Sequence, residues 1–170
     1  MRGFRIAVMG ALSAALMTGG SFAADLLQPV TEVADAVDTS WDGVYIGLVG
    51  DAWIESGTVY PAIGVRLGAN FTSDNWLFGV RADGKYYGTS GNSAIEVTGR
   101  AGMIVNDSMV LYGSAGVGLL NNGSPLYYPI GVGAEFMVAD SLSLDVTGEA
   151  LVGGGSVFGS RVEASLNWHF

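Results

Sequence analysis

The chain ends in a stretch of strict alternation. Residues 160–170 read Ser-Arg-Val-Glu-Ala-Ser-Leu-Asn-Trp-His-Phe. Val162, Ala164, Leu166, Trp168 and Phe170 share one parity, and Arg161, Glu163, Ser165, Asn167 and His169 share the other. Successive side chains of a β-strand point to opposite faces, so period two marks a strand lying between an apolar and a polar environment. A strand of about 9–11 residues is also long enough to cross a bilayer at a tilt.

The period recurs seven times upstream. Val44, Ile46, Leu48 and Ala52 oppose Tyr45, Gly47 and Asp51, although Val49 and Trp53 fall on the polar parity. Ile63, Val65, Leu67, Ala69 and Phe71 oppose Gly64, Arg66, Gly68 and Asn70. Trp76, Phe78, Val80, Ala82 and Tyr86 oppose Arg81, Asp83 and Lys85. Ile95, Val97, Ala101, Met103 and Val105 oppose Glu96, Thr98 and Arg100. Leu111, Ala115, Val117 and Leu119 oppose Tyr112, Ser114 and two glycines. Tyr128, Ile130, Val132, Ala134, Phe136 and Val138 oppose Gly131, Gly133 and Glu135. Leu142, Leu144, Val146, Ala150 and Val152 oppose Ser143, Asp145, Thr147 and Glu149.

With the terminal segment this makes eight strands, an even number. Polar turns at 72–75, 106–108 and 139–141 alternate with glycine-rich connections at 56–57, 89–93, 121–125 and 153–159. Tight turns at one end and looser loops at the other predict an all-β fold, an eight-stranded antiparallel up-and-down transmembrane β-barrel. No apolar run reaches the ~18 residues of a membrane helix, although the mean hydropathy is +0.40.

Alternation alone does not say which face is inside, because a soluble barrel puts its apolar face inward and a membrane barrel inverts that. The bases decide. After residue 23 the chain holds only Arg66, Arg81, Lys85, Arg100 and Arg161, all mid-strand and all on the polar parity. A solvated exterior would carry bases in turns as well. The polar parity is also rich in Gly, Ser and Thr, which leave room for long side chains in a narrow interior. Aromatic residues gather near strand ends. Trp41, Phe71, Trp76, Phe78, Phe136 and Trp168 are expected at one membrane interface, and Tyr60, Tyr86, Tyr127 and Tyr128 at the other.

Residues 1–23 read as a secretory signal peptide, with Arg2 and Arg5 before an apolar run and Ser21-Phe22-Ala23 as a cleavage site. Cleavage removes two of seven bases and no acid, so the formal charge moves from −9 to −11. Residues 24–40 hold four acids and no base and read as an acidic periplasmic linker, and residues 41–170 as the barrel. The absence of cysteine excludes disulfides and thiolate metal sites. The absence of a basic patch argues against nucleic acid.

Residues 41–50, Trp-Asp-Gly-Val-Tyr-Ile-Gly-Leu-Val-Gly, resemble the opening of small porin-like outer-membrane barrels of Gram-negative bacteria. These are the opacity-related proteins, including the surface barrels of rhizobia and brucellae. The order of signal peptide, acidic Pro-containing linker, Trp and terminal Phe follows the same plan across residues 1–170. The resemblance implies insertion into the cell outer membrane by the barrel-assembly machinery, which reads Phe170 with Trp168, Leu166, Ala164 and Val162 before it. The expected surroundings are outer-membrane lipid and lipopolysaccharide, and the expected state is a monomer. The loops here are shorter than in relatives that act as adhesins, which weakens a receptor-binding role.

The polar faces collect Asp51, Asp83, Glu96, Glu135, Asp145, Glu149 and Glu163 with the five bases, and His169 near one end. Eight strands leave just enough interior for side chains to fill. The favoured reading is a charge network that plugs the lumen, giving a structural, envelope-integrity protein. The alternative is a narrow cation-preferring channel. A lipid-modifying enzyme centred on His169 ranks lower, because no serine is evidently delivered to that histidine at a lipid-facing surface. No cofactor or metal site is expected. One carboxylate per Asp turn falls short of calcium's usual oxygen ligands.

Overall fold

A computed structural model describes residues 41–123 and 126–170. The expected signal peptide and linker lie outside the described residues. Eight strands follow in order: β1 Gly43–Glu55, β2 Thr58–Ser73, β3 Trp76–Tyr87, β4 Asn92–Asn106, β5 Met109–Leu120, β6 Tyr128–Ala139, β7 Leu142–Gly153 and β8 Ser156–His169. Each pairs antiparallel with the next, and β1 pairs with β8, so the sheet closes into a barrel. Closure leaves no sheet edge, which is what a strand-built structure needs where water cannot satisfy backbone groups.

The β1–β8 seam runs from Tyr45↔His169 to Ile54↔Ser160. The amide of Phe170 extends it by donating to the carbonyl of Val44 at 3.0 Å. The terminal stretch is therefore a full wall strand. Strands of 12–16 residues exceed the minimum crossing length.

The connections correct one expectation. The turns Asp74-Asn75, Asp107-Ser108 and Asp140-Ser141 lie at the end of the barrel that holds Trp41 and Phe170, here called the near end. At the far end, two of the four connections read as loose loops are two-residue hairpins. Ser56 and Gly57 have φ of 50° and 82°, and Gly154 and Gly155 have φ of 58° and 82°. Two successive left-handed residues match the twist of the flanking strands, and glycine adopts that conformation without steric cost. Only the connections at 88–91 and 121–127 are longer.

The outer surface is apolar on every strand. Leu48 is 69 % exposed, Ile63 74 % and Leu67 62 %, with Ile95, Leu119, Val132, Val146 and Leu166 continuing the belt. An apolar surface that encircles a barrel has hydrocarbon, not water, as its matching solvent. The charges complete the inversion. Among the described residues, those outside the lumen are Asp42, Asp74, Asp107 and Asp140 at the near end and Glu55 at the far end.

Candidate functional site: the barrel interior

The interior has three layers. At the near end Trp41, Leu77, Val110 and Tyr112 pack together, flanked by Ile104 and Met137. At the far end Trp53, Ala62, Tyr87, Ala94, Tyr127 and Leu151 pack together, flanked by Tyr60, Leu120 and Phe158. Between them lie all twelve of the expected lumen acids and bases, none more than 8 % exposed.

The register creates a problem that the bases solve. Three pairs of acids stand directly opposite on neighbouring strands: Asp51↔Glu163, Asp83↔Glu96 and Glu135↔Asp145. Like charges in that position repel. Each pair is held by cations. Arg100 reaches Glu135 at 2.6 Å and Asp145 at 3.2 Å. Arg66 takes Asp83 through Nε at 2.6 Å and Nη2 at 3.2 Å, and also bonds Glu163. Lys85 bonds Glu96 at 2.9 Å and Glu163, and lies 3.5 Å from Asp51. Arg161 bonds Glu96 and Glu149, and Arg81 reaches Glu149 at 3.2 Å. The Lys85–Glu163, Arg161–Glu96 and Arg81–Glu149 contacts join strands that are not neighbours, so the network spans the lumen.

Neutral groups finish the network. Tyr112 donates to Asp145 at 2.6 Å, Tyr127 to Glu96 at 2.5 Å and Tyr87 to Asp51 at 3.2 Å. Three tyrosine rings lie over cross-strand glycines: Tyr45 over Gly68, Tyr112 over Gly133 and Tyr127 over Gly118. A Cβ on any of these glycines would sit 2.2–2.5 Å from the ring. Small residues on the polar parity thus make room for flat rings as well as for long charged side chains.

Oxygens of Asp83, Glu96 and Glu163 come within 4.8 Å of one another. Arg66, Lys85 and Arg161 already bind these carboxylates, so the cluster is the centre of an ion-pair network and not a vacant ligand set.

The fold brings His169 a serine, but inside the lumen and not at a lipid-facing surface. Ser143 Oγ lies 2.9 Å from His169 Nε2 and donates to Glu135 at 2.5 Å. Both Ser143 and Glu135 are fully buried, and His169 is stacked on Tyr45 and capped edge-on by Trp41. The serine proton is committed to a carboxylate and its oxygen faces no surface, so the trio binds strands together and does not present a nucleophile.

The aromatic residues divide. Phe71, Trp76, Phe78, Tyr86, Tyr128, Phe136 and Trp168 face outward near strand ends, and Phe71 stacks on Phe78 at 5.5 Å. Trp41, Tyr60 and Tyr127 do not join an outer girdle. Trp41 and Tyr127 are buried in the two end layers, and Tyr60 packs against the far one. Val49 and Trp53, which fall out of pattern in β1, also point inward. The apolar end layers are the part that alternation misses, because their members sit on the parity that otherwise reads as polar. The one available signal is position: Trp53, Leu77, Val110 and Leu151 all lie near strand ends.

No protein-family model and no curated protein matches the chain. Solved structures do match its fold. A de novo designed transmembrane β-barrel aligns with 78 % of this chain and 99 % of its own, at 15 % identity and a TM-score of 0.56. The N-terminal β-barrel domain of OprF from Pseudomonas aeruginosa aligns with 76 % and 99 %, at 11 % identity and 0.55. The attachment invasion locus protein of Yersinia pestis, solved with the heparin analogue sucrose octasulfate, aligns with 76 % and 97 %, at 18 % identity and 0.50. At these identities the likeness is one of fold: the chain folds as an eight-stranded antiparallel transmembrane β-barrel.

Proposed function

We propose that this chain is a structural protein of the Gram-negative outer membrane, a barrel whose lumen is shut by its own side chains. In this reading residues 1–23 direct export, residues 24–40 form a periplasmic linker, and the near end faces the periplasm. The alternating apolar face of β8, ending at Phe170, serves as the assembly address. The barrel stands as a monomer in outer-membrane lipid and lipopolysaccharide. Kinship with the opacity-related barrels is part of the same proposal.

The observation that carries the plugged reading is the layering. Twelve buried charges form one ion-pair network with an apolar layer at each end. A conducting path would need water through both end layers and would leave buried charges to be rehydrated in single file. A role like the binding of sulfated glycans is not supported, because no Lys or Arg among the described residues lies at either barrel end.

Planar-bilayer recording tests this. The purified protein should insert without reproducible conductance steps. Stable cation-selective steps would replace the plug with a narrow channel.

A further inference from the structure

After residue 23 the chain holds 16 acids and five bases. All five bases lie in the lumen, none more than 4 % exposed, where they face seven of the acids. No base is left for the outside of the barrel. The remaining acids are the four of residues 24–40 and five on the barrel itself, of which Asp42, Asp74, Asp107 and Asp140 stand at the near end. Three of these occupy the near-end hairpin turns: Asp74 between β2 and β3, Asp107 between β4 and β5, and Asp140 between β6 and β7. All three are exposed, and the topology spreads them around the rim. Asp42, beside the β1–β8 seam, accepts from the amide and the hydroxyl of Thr72.

An independent feature fixes the depth of these turns. Outward-facing aromatic side chains stand just inside them. Phe71 and Trp76 flank the Asp74 turn, and Phe136 on β6 and Trp168, opposite Leu142 of β7, lie beside the Asp140 turn. Rings in that position mark the headgroup level of a bilayer. The turns just beyond them therefore lie at the charged surface of the leaflet. A zwitterionic phospholipid presents an ammonium there as well as a phosphate. An anionic phospholipid presents surplus phosphate, and the near end has no base among the described residues to pair with it.

We propose that the near end selects a leaflet of zwitterionic phospholipid over an anionic one. The turn carboxylates meet the ammonium ends of the headgroups, and the aromatic rings anchor the wall beneath them. An anionic leaflet offers these turns only like charge. The selection rests on the transmembrane fold and not on which leaflet the near end meets.

The test folds the chain from residue 24 onward reversibly into vesicles of phosphatidylcholine, and into the same vesicles with about one third phosphatidylglycerol, at about 10 mM salt, where charges act over about 30 Å. Urea titration reads the folding constant. It should be at least about tenfold lower in the anionic vesicles. At about 1 M salt, where the range of charge falls to about 3 Å, the two should agree within about twofold. The combined variant Asp74→Asn, Asp107→Asn, Asp140→Asn leaves the lumen acids and the acids of residues 24–40 in place. Asparagine also tolerates the left-handed backbone of Asp74, whose φ is 52°. In this variant the anionic penalty should shrink to about threefold or less. Equal folding of the unmodified chain in both vesicles, or better folding in the anionic ones, would overturn the proposal. An undiminished penalty in the triple variant would overturn it too, because the preference would then belong to the total charge of the chain and not to the near-end turns.

Discussion

Glu163 is the residue on which most of the network converges. It bonds Arg66 and Lys85 and lies 3.6 Å from Arg81 and 3.9 Å from Arg161. Its opposite neighbour on β1, Asp51, makes looser contacts at 3.5 Å and 3.8 Å, and its Oδ1 has no hydrogen-bond partner. The same loss of one negative charge should therefore have unequal effects. Glu163→Gln should destabilise the barrel by about 3–5 kcal/mol, because it leaves buried cations short of a partner. Asp51→Asn should cost less than about 1 kcal/mol, because it removes a poorly paired charge from an interior already in acidic excess. Urea unfolding of both variants in lipid vesicles measures the contrast, and equal costs would mean that net charge matters more than pairing. A steric prediction sits at Gly68. Gly68→Val would drive its side chain into the Tyr45 ring, so about 1–3 kcal/mol should be lost in the same assay. Much of that loss should return when Tyr45→Ala is added.

At the scale of the strand, the alternation sorts each side chain into lipid or lumen, and depth along the strand sets how costly an error is. Leu48 lies at the middle of β1, opposite Val65 and Leu166, while Phe71 lies beside the near-end turn of β2. Leu48→Arg should cost about 2–4 kcal/mol, and Phe71→Arg no more than about 1 kcal/mol, since a charge near the interface reaches water. Reversible folding into vesicles measures both. Equal costs would argue that the apolar belt does not meet a bilayer. The strand ends behave differently from their centres. Trp53, Leu77, Val110 and Leu151 occupy lumen-facing positions yet form apolar layers. They flank the charge network at its two ends.

For the whole molecule, closure gives every strand a partner on both sides. The β1–β8 seam joins the two ends of the described barrel, so no strand can leave without breaking two ladders. In mild detergent the unboiled protein should run as a compact band, distinct from the boiled chain on a gel. Removing Phe170 should lower the folded fraction in cells roughly several-fold, because the last backbone bond to β1 goes with it and, on the proposed reading, so does the assembly address. Coincident boiled and unboiled bands would contradict a closed barrel.

The eight strands, their antiparallel order and the inside-out polarity were legible in the sequence. Period two is local, and five mid-strand bases leave only one face for the lumen. The apolar end layers did not follow from parity, whereas the shared face of the charged residues did. Their partners did not, because a cross-lumen contact such as Arg161 to Glu96 depends on the register and the curvature of the closed wall. Tertiary structure also decided that Trp41 and Tyr127 turn inward, that Ser143 reaches His169, and that the charges are capped at both ends. The physical reason is the same in each case. A one-dimensional pattern reports which side of the sheet a residue faces, whereas what it meets there is set by where seven other strands place their side chains.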